Sequence, residues 1–290
     1  MNTHLDCLPC LLRQSLEAAR AVTPDAAVHE QIVRDVLSMT ATIDFTHPPP
    51  FVARNIHRRL REITGVKDPY QEAKSRFNRL AMEALPALAD ITRRADDRLL
   101  AAARCAVAAN AIDMGVTDAI TDDDVRKALS GLPGQQVYGD WECFLKAAAH
   151  AEDILYLADN AGEIAVDRLV VEALDPNRVT VVVRGAPILN DATMSDACEV
   201  GMNDLARVLD NGSDVPGTIL DECSDGFRRR FESADLIIAK GQGNFETLSD
   251  TGREIAFWFK VKCPTVSRHV GLPVGTHVLL PPAARGEFRP

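Results

Sequence analysis

The chain has 290 residues, of which 46% are hydrophobic and 26% are charged, so it is long enough for one large domain or two modest ones with a packed core. Its formal net charge of -10 argues against nucleic acid and anionic membranes as partners, although a cation-lined cleft can still take a small anion. The first twenty residues lack the apolar core of a signal peptide, and no run reaches the roughly 20 apolar residues of a membrane span, so we predict a cytoplasmic protein.

In the first half of the chain the apolar residues recur at helical spacing. Amphipathic or Ala-rich helices are expected over residues 9–22, 27–39, 50–64, 68–85, 98–114 and 122–129. Gly65 is placed to end the third helix, Asp68 to cap the fourth, with Pro69 in its first turn, and Thr121 to cap the sixth. Pro86 should break or kink the fourth helix, because proline removes a backbone donor.

The pattern changes near residue 150, which divides the chain into a helical region over 1–150 and an α/β core over 151–290. The turn-rich run 131–139 is predicted to be a loop or hinge. Short apolar runs in the core predict strands over residues 154–158, 179–183, 206–209 and 236–239, with weaker candidates at 256–261 and 278–280. Helices are expected between them over residues 164–174 and 218–231, and a loose tail over 281–290. Buried strands separated by helices predict a mostly parallel sheet in a three-layer α/β/α core.

Polar residues and glycines gather directly after each of the four strongest strands. The four segments are DNAGE at 159–163, RGAPILND at 184–191, DNGSD at 210–214 and KGQGN at 240–244. The carboxyl ends of parallel strands share one edge of the sheet, and α/β proteins bind ligands at that edge. The sequence therefore predicts a single polar crevice built from these loops.

Asp159 and Asn160 are the strongest candidates for metal ligands. Two adjacent oxygen donors that leave a strand can turn towards one cation, and Asp191 or Asp196 from the next loop would complete one face of an octahedral shell. Such a shell favours Mg²⁺ or Mn²⁺. The alternative is that Asp159 or Asn160 only caps the helix that starts near Gly162. The three other polar loops favour the metal site.

Arg184 and Lys240 supply positive charge at two of the strand ends. Charge-assisted hydrogen bonds from such groups hold the oxygens of a phosphate ester, and adjacent glycines let a ligand approach the backbone. The alternative is an ordinary surface charge or a salt bridge. The backbone amides at 212–213 either bind an anion or form a plain turn.

Cys7 and Cys10 form a Cys-x-x-Cys spacing near the N-terminus. A four-ligand zinc site needs a second such pair, and the five other cysteines are scattered along the chain. The pair either binds a metal with a distant ligand or consists of two buried thiols. Seven cysteines, an odd number, suit reduced thiols better than a disulfide framework.

Four segments in chain order resemble the damage-control phosphatase family, whose members are metal-dependent phosphatases of phosphometabolites. They are LADNAGEIAVDRL at 157–169, VVRGAPILNDATMSDA at 182–197, NGSDVPGT at 211–218 and AKGQGNFETL at 239–248. The Cys7-x-x-Cys10 motif and Asp68-Pro69-Tyr70 with Lys74 resemble the stand-alone prokaryotic branch of the family. The resemblance implies a helical N-terminal region packed on the α/β core.

The resemblance also implies a cofactor, a divalent cation held by Asp159, Asn160 and Asp191. Mg²⁺ or Mn²⁺ is expected, with Co²⁺ or Ni²⁺ as alternatives. Asp191 is the aspartate of the family's Asn-Asp pair, and Asp196 would then lie about one helical turn further on.

Lys240 matches the family's lysine before glycine and is implied to hold the phosphate, while Glu163 and Asn244 match polar positions near the site. The eukaryotic branch has an Asp-x-Asn-Tyr pattern after that lysine and glycine, where this chain reads QGNF at 242–245. The family motif therefore does not identify the substrate of this chain.

The predicted reaction is hydrolysis of phosphate monoesters of small metabolites, such as sugar phosphates or related, including damaged, phosphometabolites. Asp159 and Asp191 are the catalytic candidates, and Lys240 with Arg184 would clamp the phosphoryl oxygens. The nucleophile is either metal-bound water or an aspartate carboxylate, with Asp159 as the obvious choice. The alternative function is a non-catalytic regulatory module that binds metal or a phosphometabolite. A nucleotide-dependent transferase would need a nucleotide fingerprint, which residues 159–163 do not provide.

Overall fold

The computed structural model describes residues 1–110 and 121–282, whose strands pair into one sheet in the order β1-β7-β6-β5-β2-β3-β4. The strands are β1 Val137–Gly139, β2 Ile154–Leu157, β3 Val179–Val183, β4 Arg207–Asp210, β5 Leu236–Lys240, β6 Ile255–Lys260 and β7 His277–Leu280. Neighbouring strands are parallel, except that β6 and β7 are antiparallel. The mostly parallel α/β fold predicted from the sequence is confirmed.

Helices pack on both faces of this sheet. The helices of the described residues are α1 Cys7–Val22, α2 Ala26–Ala41, α3 Pro49–Thr64, α4 Gln71–Arg94, α5 Arg98–Ala109, α6 Asp122–Ser130, α7 Trp141–His150, α8 Glu163–Ala173, α9 Met194–Glu199, α10 Asp225–Ser233, α11 Gln242–Leu248 and α12 Pro264–Val270. Alternate residues of β2 lie on opposite faces of the sheet. Tyr156 packs in the apolar cluster formed with α4 to α9, whereas Leu155 packs in the apolar cluster formed with α10 to α12. The core therefore has three layers.

The first three helices bury an apolar cluster of their own, centred on Ile32, Val36 and Leu60. Helix α3 also contacts α11, next to the carboxyl end of β5. Strand β1 and helix α7 lie within 1–150 but pack with the sheet, and the division near residue 150 stays a prediction. None of the helices in the described ranges combines the length and apolar character needed to cross a membrane.

Several predicted helix boundaries agree with the structure. Helix α3 ends at Gly65 with φ 71°, and a capping box between Thr121 and Asp124 opens α6. Helix α4, in contrast, continues through Pro86 to Arg94, because apolar residues on both sides of the proline pack into the same cluster. The end predicted at residue 85 is wrong.

Three further predictions need correction. Asp68 does not cap α4; its carboxylate accepts a hydrogen bond from the amide of Tyr70 and forms a turn before the helix. The run 131–139 contains a short 3-10 helix and the edge strand β1 instead of only a loop. Residues 218–231 are not one helix, since α10 begins only after Ser224, whose hydroxyl caps it. The predicted helical residues 111–114 and the tail from 283 lie outside the described residues.

The direction of strand addition reverses between β2 and β5. Strands β3 and β4 follow on one side of β2, whereas β5 lies on its other side. In open α/β sheets such a reversal leaves a crevice beyond the carboxyl ends of the two strands, where ligands commonly bind. Asp159 follows β2 and Gly241 follows β5, so both residues lie at this crevice.

Candidate active site

Backbone contacts join the two loops that carry the predicted metal ligands. The amide nitrogen of Ala192 donates to the carbonyl oxygen of Asp159 over 2.7 Å, and Asn160 forms an isolated antiparallel bridge with Asp191. Asp159, Asn160 and Asp191 are all buried. The structure therefore brings these three residues together, while their role as ligands stays a prediction.

Asp196, the other candidate for a third ligand, faces a different set of groups. Its Oδ2 atom accepts hydrogen bonds from the amide and the hydroxyl of Thr193, over 2.8 and 2.6 Å, and so caps α9. Asp191 is thus the candidate whose backbone pairs with Asn160, and Asp196 lies within the following helix.

Three carboxylates stand close together at the end of β2. Burial, followed by the negative charges of Glu163 and Asp191, raises the pKa of Asp159 to about 8. Burial also raises the pKa of Asp191, although the adjacent Arg184 opposes it. A cation bound here would offset this buried negative charge and favour the ionised carboxylates.

The donor chemistry fits a hard divalent cation. Asp159 and Asp191 offer carboxylate oxygens and Asn160 offers an amide oxygen, the kind of set that Mg²⁺ and Mn²⁺ prefer. In the part of the chain that the structure describes, no three His, Cys, Asp or Glu side chains form a metal site by themselves. The candidate set does not need one, because one of its three members is an asparagine.

Asn110, at the end of α5, reaches the same carboxylates and was missed by sequence reasoning. Its Nδ2 atom donates to Oδ2 of Asp159 and to Oε1 of Glu163, each over 2.9 Å. Its Oδ1 atom accepts from the backbone amide of Lys260 over 3.0 Å. A lone amide at the end of an Ala-rich, apolar helix was the available signal, since a fully buried amide needs partners.

Lys240 is buried beneath the carboxylates as part of an ionic network. Its Nζ atom lies 2.7 Å from Oδ1 of Asp167 and 3.2 Å from Oε2 of Glu163, and the Tyr156 hydroxyl donates to the same oxygen of Asp167. Burial alone would lower the pKa of Lys240, but the charges of Asp167 and Glu163 outweigh it and raise the pKa. Lys240 is therefore an ammonium, and its predicted contact with a phosphate stays a prediction.

Arg184 and Asn244 meet on the other side of Asp191. The Nε atom of Arg184 donates to Oδ2 of Asp191 over 2.7 Å, and its Nη2 atom lies 3.4 Å from Oδ1 of Asn244. Thr218, which sequence reasoning did not select, donates its hydroxyl to the same oxygen of Asn244 over 2.8 Å. Arg184 is only 2% exposed, so it is a buried ion-pair partner instead of a surface charge.

The loop after β4 uses its amides internally. The amide of Gly212 donates to the Asp210 carboxylate and that of Ser213 to the Asn211 side chain, each over 2.9 Å. These contacts form the plain turn that was the alternative to an anion site, because the donors face the chain's own oxygens.

Cys7 and Cys10 are free thiols at the start of α1. Burial raises the pKa of both, which keeps them protonated at neutral pH. Among residues 1–110 and 121–282, no group of three His, Cys, Asp or Glu residues is arranged for a metal. Both side chains are of intermediate exposure, so the role of the pair stays a prediction.

The chain is an α/β protein with a carboxylate-lined crevice at the switch point of its sheet. The model of the damage-control phosphatase ARMT1-like domain matches residues 3–278. The chain therefore belongs to the damage-control phosphatase ARMT1-like domain family, which confirms the resemblance noted in the sequence.

Individual relatives match over nearly the whole chain. A damage-control phosphatase from Archaeoglobus fulgidus is 36% identical, with 94% of this chain and 96% of the relative covered. A damage-control phosphatase from Pyrococcus horikoshii is 30% identical over 100% of both chains. The crystal structure of a DUF89 family protein from Pyrococcus horikoshii matches with a TM-score of 0.88 and 28% identity, covering 98% of this chain and 100% of that one. These likenesses support a phosphatase with this α/β fold.

Proposed function

We propose that this protein hydrolyses phosphate monoesters of small metabolites with the help of a divalent cation held by Asp159, Asn160 and Asp191. The proposal rests on the meeting of two buried carboxylates and an amide at the switch point, where Asn160 bridges to Asp191. Membership of a phosphatase family supports the reaction type. Mg²⁺ and Mn²⁺ suit the oxygen donors best, with Co²⁺ or Ni²⁺ as alternatives.

In this proposal Arg184 and Lys240 supply the chain's own positive charge to the phosphate ester. When bound, the metal ion would supply positive charge against the charge that develops on the phosphoryl oxygens. Arg184 orients Asp191 through its Nε atom and presents a guanidinium to the same region. Lys240 adds an ammonium that is held in place by Asp167 and Glu163. Such preorganised charges lower the barrier because they need no reorganisation during the reaction.

Asp159 has the position for either of two roles. In one, its carboxylate attacks the phosphorus atom, the P–O bond to the metabolite breaks with release of the alcohol, and water then hydrolyses the phospho-enzyme to phosphate. In the other, a water molecule attacks the phosphorus atom directly and the same P–O bond breaks. Asn110 and Asn160 both donate to its Oδ2 atom over 2.9 Å, which fixes the orientation of the carboxylate. Acid quenching during a single turnover, followed by mass spectrometry, separates the two routes: only the first adds the mass of a phosphoryl group to the peptide containing Asp159.

The proposed substrates are sugar phosphates and related phosphometabolites, including damaged ones. The test is a panel of such compounds, assayed for phosphate release by metal-stripped protein after addition of Mg²⁺, Mn²⁺, Co²⁺ or Ni²⁺. We expect release that depends on the added cation and is lost in Asp159→Asn.

Asp210→Asn is the matched control, since Asp210 also ends a strand but lies in the plain turn after β4. It should keep full activity. Release that survives in Asp159→Asn would overturn the proposed site. Binding of panel compounds without turnover would instead favour the regulatory module as the function.

A further inference from the structure

Helix α4 reaches both loops of the proposed site through two side chains one helical turn apart, Lys74 and Asn78. Both residues are completely buried, at 0% exposure. An ammonium in the protein interior is destabilising unless it is paired, and so is a buried amide whose hydrogen bonds are not made. Partners of Lys74 and of Asn78 lie in the two loops of the proposed site.

Lys74 holds the end of the loop that begins at Asp191. Its Nζ atom lies 2.9 Å from Oδ2 of Asp196 and 3.1 Å from Oδ2 of Asp68. Asp196 in turn caps α9 through the amide and hydroxyl of Thr193. Thr193 pairs with Arg184 in an isolated parallel bridge, so the ion pair of Lys74 fixes this loop against the end of β3.

Asn78 connects the loop of Asp191 to the loop of Asp159 and Asn160 through its side-chain amide. Its Nδ2 atom donates to Oδ1 of Asp196 over 3.0 Å. Its Oδ1 atom accepts from the backbone amide of Gly162 over 2.7 Å. Gly162 lies between Asn160 and Glu163 and has φ 76°. One side chain of α4 therefore bonds to both segments that carry the candidate ligands.

We propose that Lys74 and Asn78 are positioning residues that set the separation between the loop of Asp159 and Asn160 and the loop of Asp191. The expected effect on metal affinity rests on the proposed function, whereas the expected effect on the spacing of the two loops does not. Residues that orient metal ligands without touching the metal typically lower the metal affinity about 10- to 100-fold when they are mutated. A purely structural role would lower stability without changing the spacing of the loops in the folded protein.

The test uses Asn78→Leu and the double variant Lys74→Met/Asp196→Asn, which removes the ion pair without leaving Asp196 charged and unpaired. Arg79→Met is the matched control, because Arg79 lies on the same helix with an exposed side chain paired to Glu83. The first readout is hydrogen exchange of the Ala192 amide, which links the two loops by donating to Asp159. The second is the Kd for Mn²⁺ of the folded, metal-stripped proteins, measured by electron paramagnetic resonance.

We expect both variants, but not the control, to speed exchange at Ala192 and to weaken Mn²⁺ binding by about tenfold or more. Amides of β6 should keep their protection, which shows that the sheet is intact. Wild-type exchange at Ala192 in both variants would overturn the positioning role, even if their melting temperatures fall. Absence of Mn²⁺ binding in the wild-type protein would count against the proposed function, while the exchange result would still decide the role of α4.

Discussion

Gly241 lies directly against the carboxylate of Asp159. A β-carbon built on Gly241 would stand closer than 3.0 Å to that carboxylate, and the residue has φ 82° and ψ 155°, a region that is essentially restricted to glycine. Only glycine therefore lets the carboxyl end of β5 approach the Asp159 carboxylate this closely.

Gly241→Ala should have a larger effect on the rate of phosphate release than on the free energy of unfolding. The added methyl group displaces the Asp159 carboxylate, and a misplacement of about 1 Å can cost on the order of 100-fold in rate. Gly252→Ala is the control: Gly252 has φ 76° with nothing within 4 Å of the added carbon, so it suffers only backbone strain of about 1–2 kcal/mol. Rates of phosphate release and denaturant unfolding of both variants check this. Equal activity in the two would contradict the close approach.

Asn110→Ala should lower both stability and activity. The change leaves the amide of Lys260 without its side-chain acceptor and removes a donor shared by Asp159 and Glu163. We expect a loss of about 1–3 kcal/mol in the free energy of unfolding, measured by urea denaturation, together with slower phosphate release. The exposed Asn203 provides the control, and Asn203→Ala should change stability by about 0.5 kcal/mol or less. An Asn110→Ala protein with wild-type rates would show that Asn110 only supports the fold.

Two variants distinguish a structural role of Lys240 from a role in phosphate binding. Lys240→Met leaves Asp167 and Glu163 buried without their cation, which should cost about 3–5 kcal/mol of stability. The double variant Lys240→Met/Asp167→Asn should recover part of that stability, as followed by thermal unfolding, but no hydrolysis. If activity returned along with stability, Lys240 would be a structural ion-pair partner that does not hold the phosphate.

Glu246 should make the protein less stable as the pH rises towards neutrality. Burial raises the pKa of Glu246 from 4.5 to about 7, against the opposing hydrogen bond from Gln242 and the charge of the N-terminus. Between these values the unfolded chain loses the proton while the folded chain keeps it, so the free energy of unfolding falls as pH increases. The fall is on the order of 3 kcal/mol.

Urea unfolding of wild type and Glu246→Gln at pH 5 and pH 8 measures this effect as the difference between their two pH dependences. The raised pKa of Asp159 contributes to both proteins and cancels in that difference, and the amide of Gln carries no charge at either pH. Glu142→Gln is the matched control, since the Glu142 side chain is 79% exposed, and it should follow the wild-type curve. Parallel curves for wild type and Glu246→Gln would show that Glu246 ionises normally in the folded protein.

The parts of the fold with strong local signals were predictable from the sequence. The continuous apolar runs at 154–158 and 179–183 predicted buried strands, and the polar residues after them were therefore expected to share one edge of a parallel sheet. This logic predicted that Asp159 would meet Asp191 or Asp196, and the family resemblance singled out Asp191. The capping box at Thr121 was predictable for the same reason, since both of its partners lie within one helical turn.

The contacts that complete the site were not predictable, because they depend on tertiary packing. Asn110 and Asn78 lie 49 and 84 residues away from their partners Asp159 and Gly162, and a local pattern does not show which distant groups a helical amide meets. The burial of Lys240 against Asp167 is likewise invisible in the sequence. Helix α4 continues through Pro86 because packing on the apolar cluster outweighs the local cost of the proline.

The most direct test of the proposed site is a crystal of the protein soaked in Mn²⁺, with the ion located by its anomalous scattering. We predict one strong peak beyond the carboxyl ends of β2 and β3, within bonding distance of oxygens from Asp159, Asn160 and Asp191, and loss of that peak in Asp159→Asn. A peak at another place in a protein that hydrolyses phosphate esters, with these three side chains pointing apart, would contradict the account.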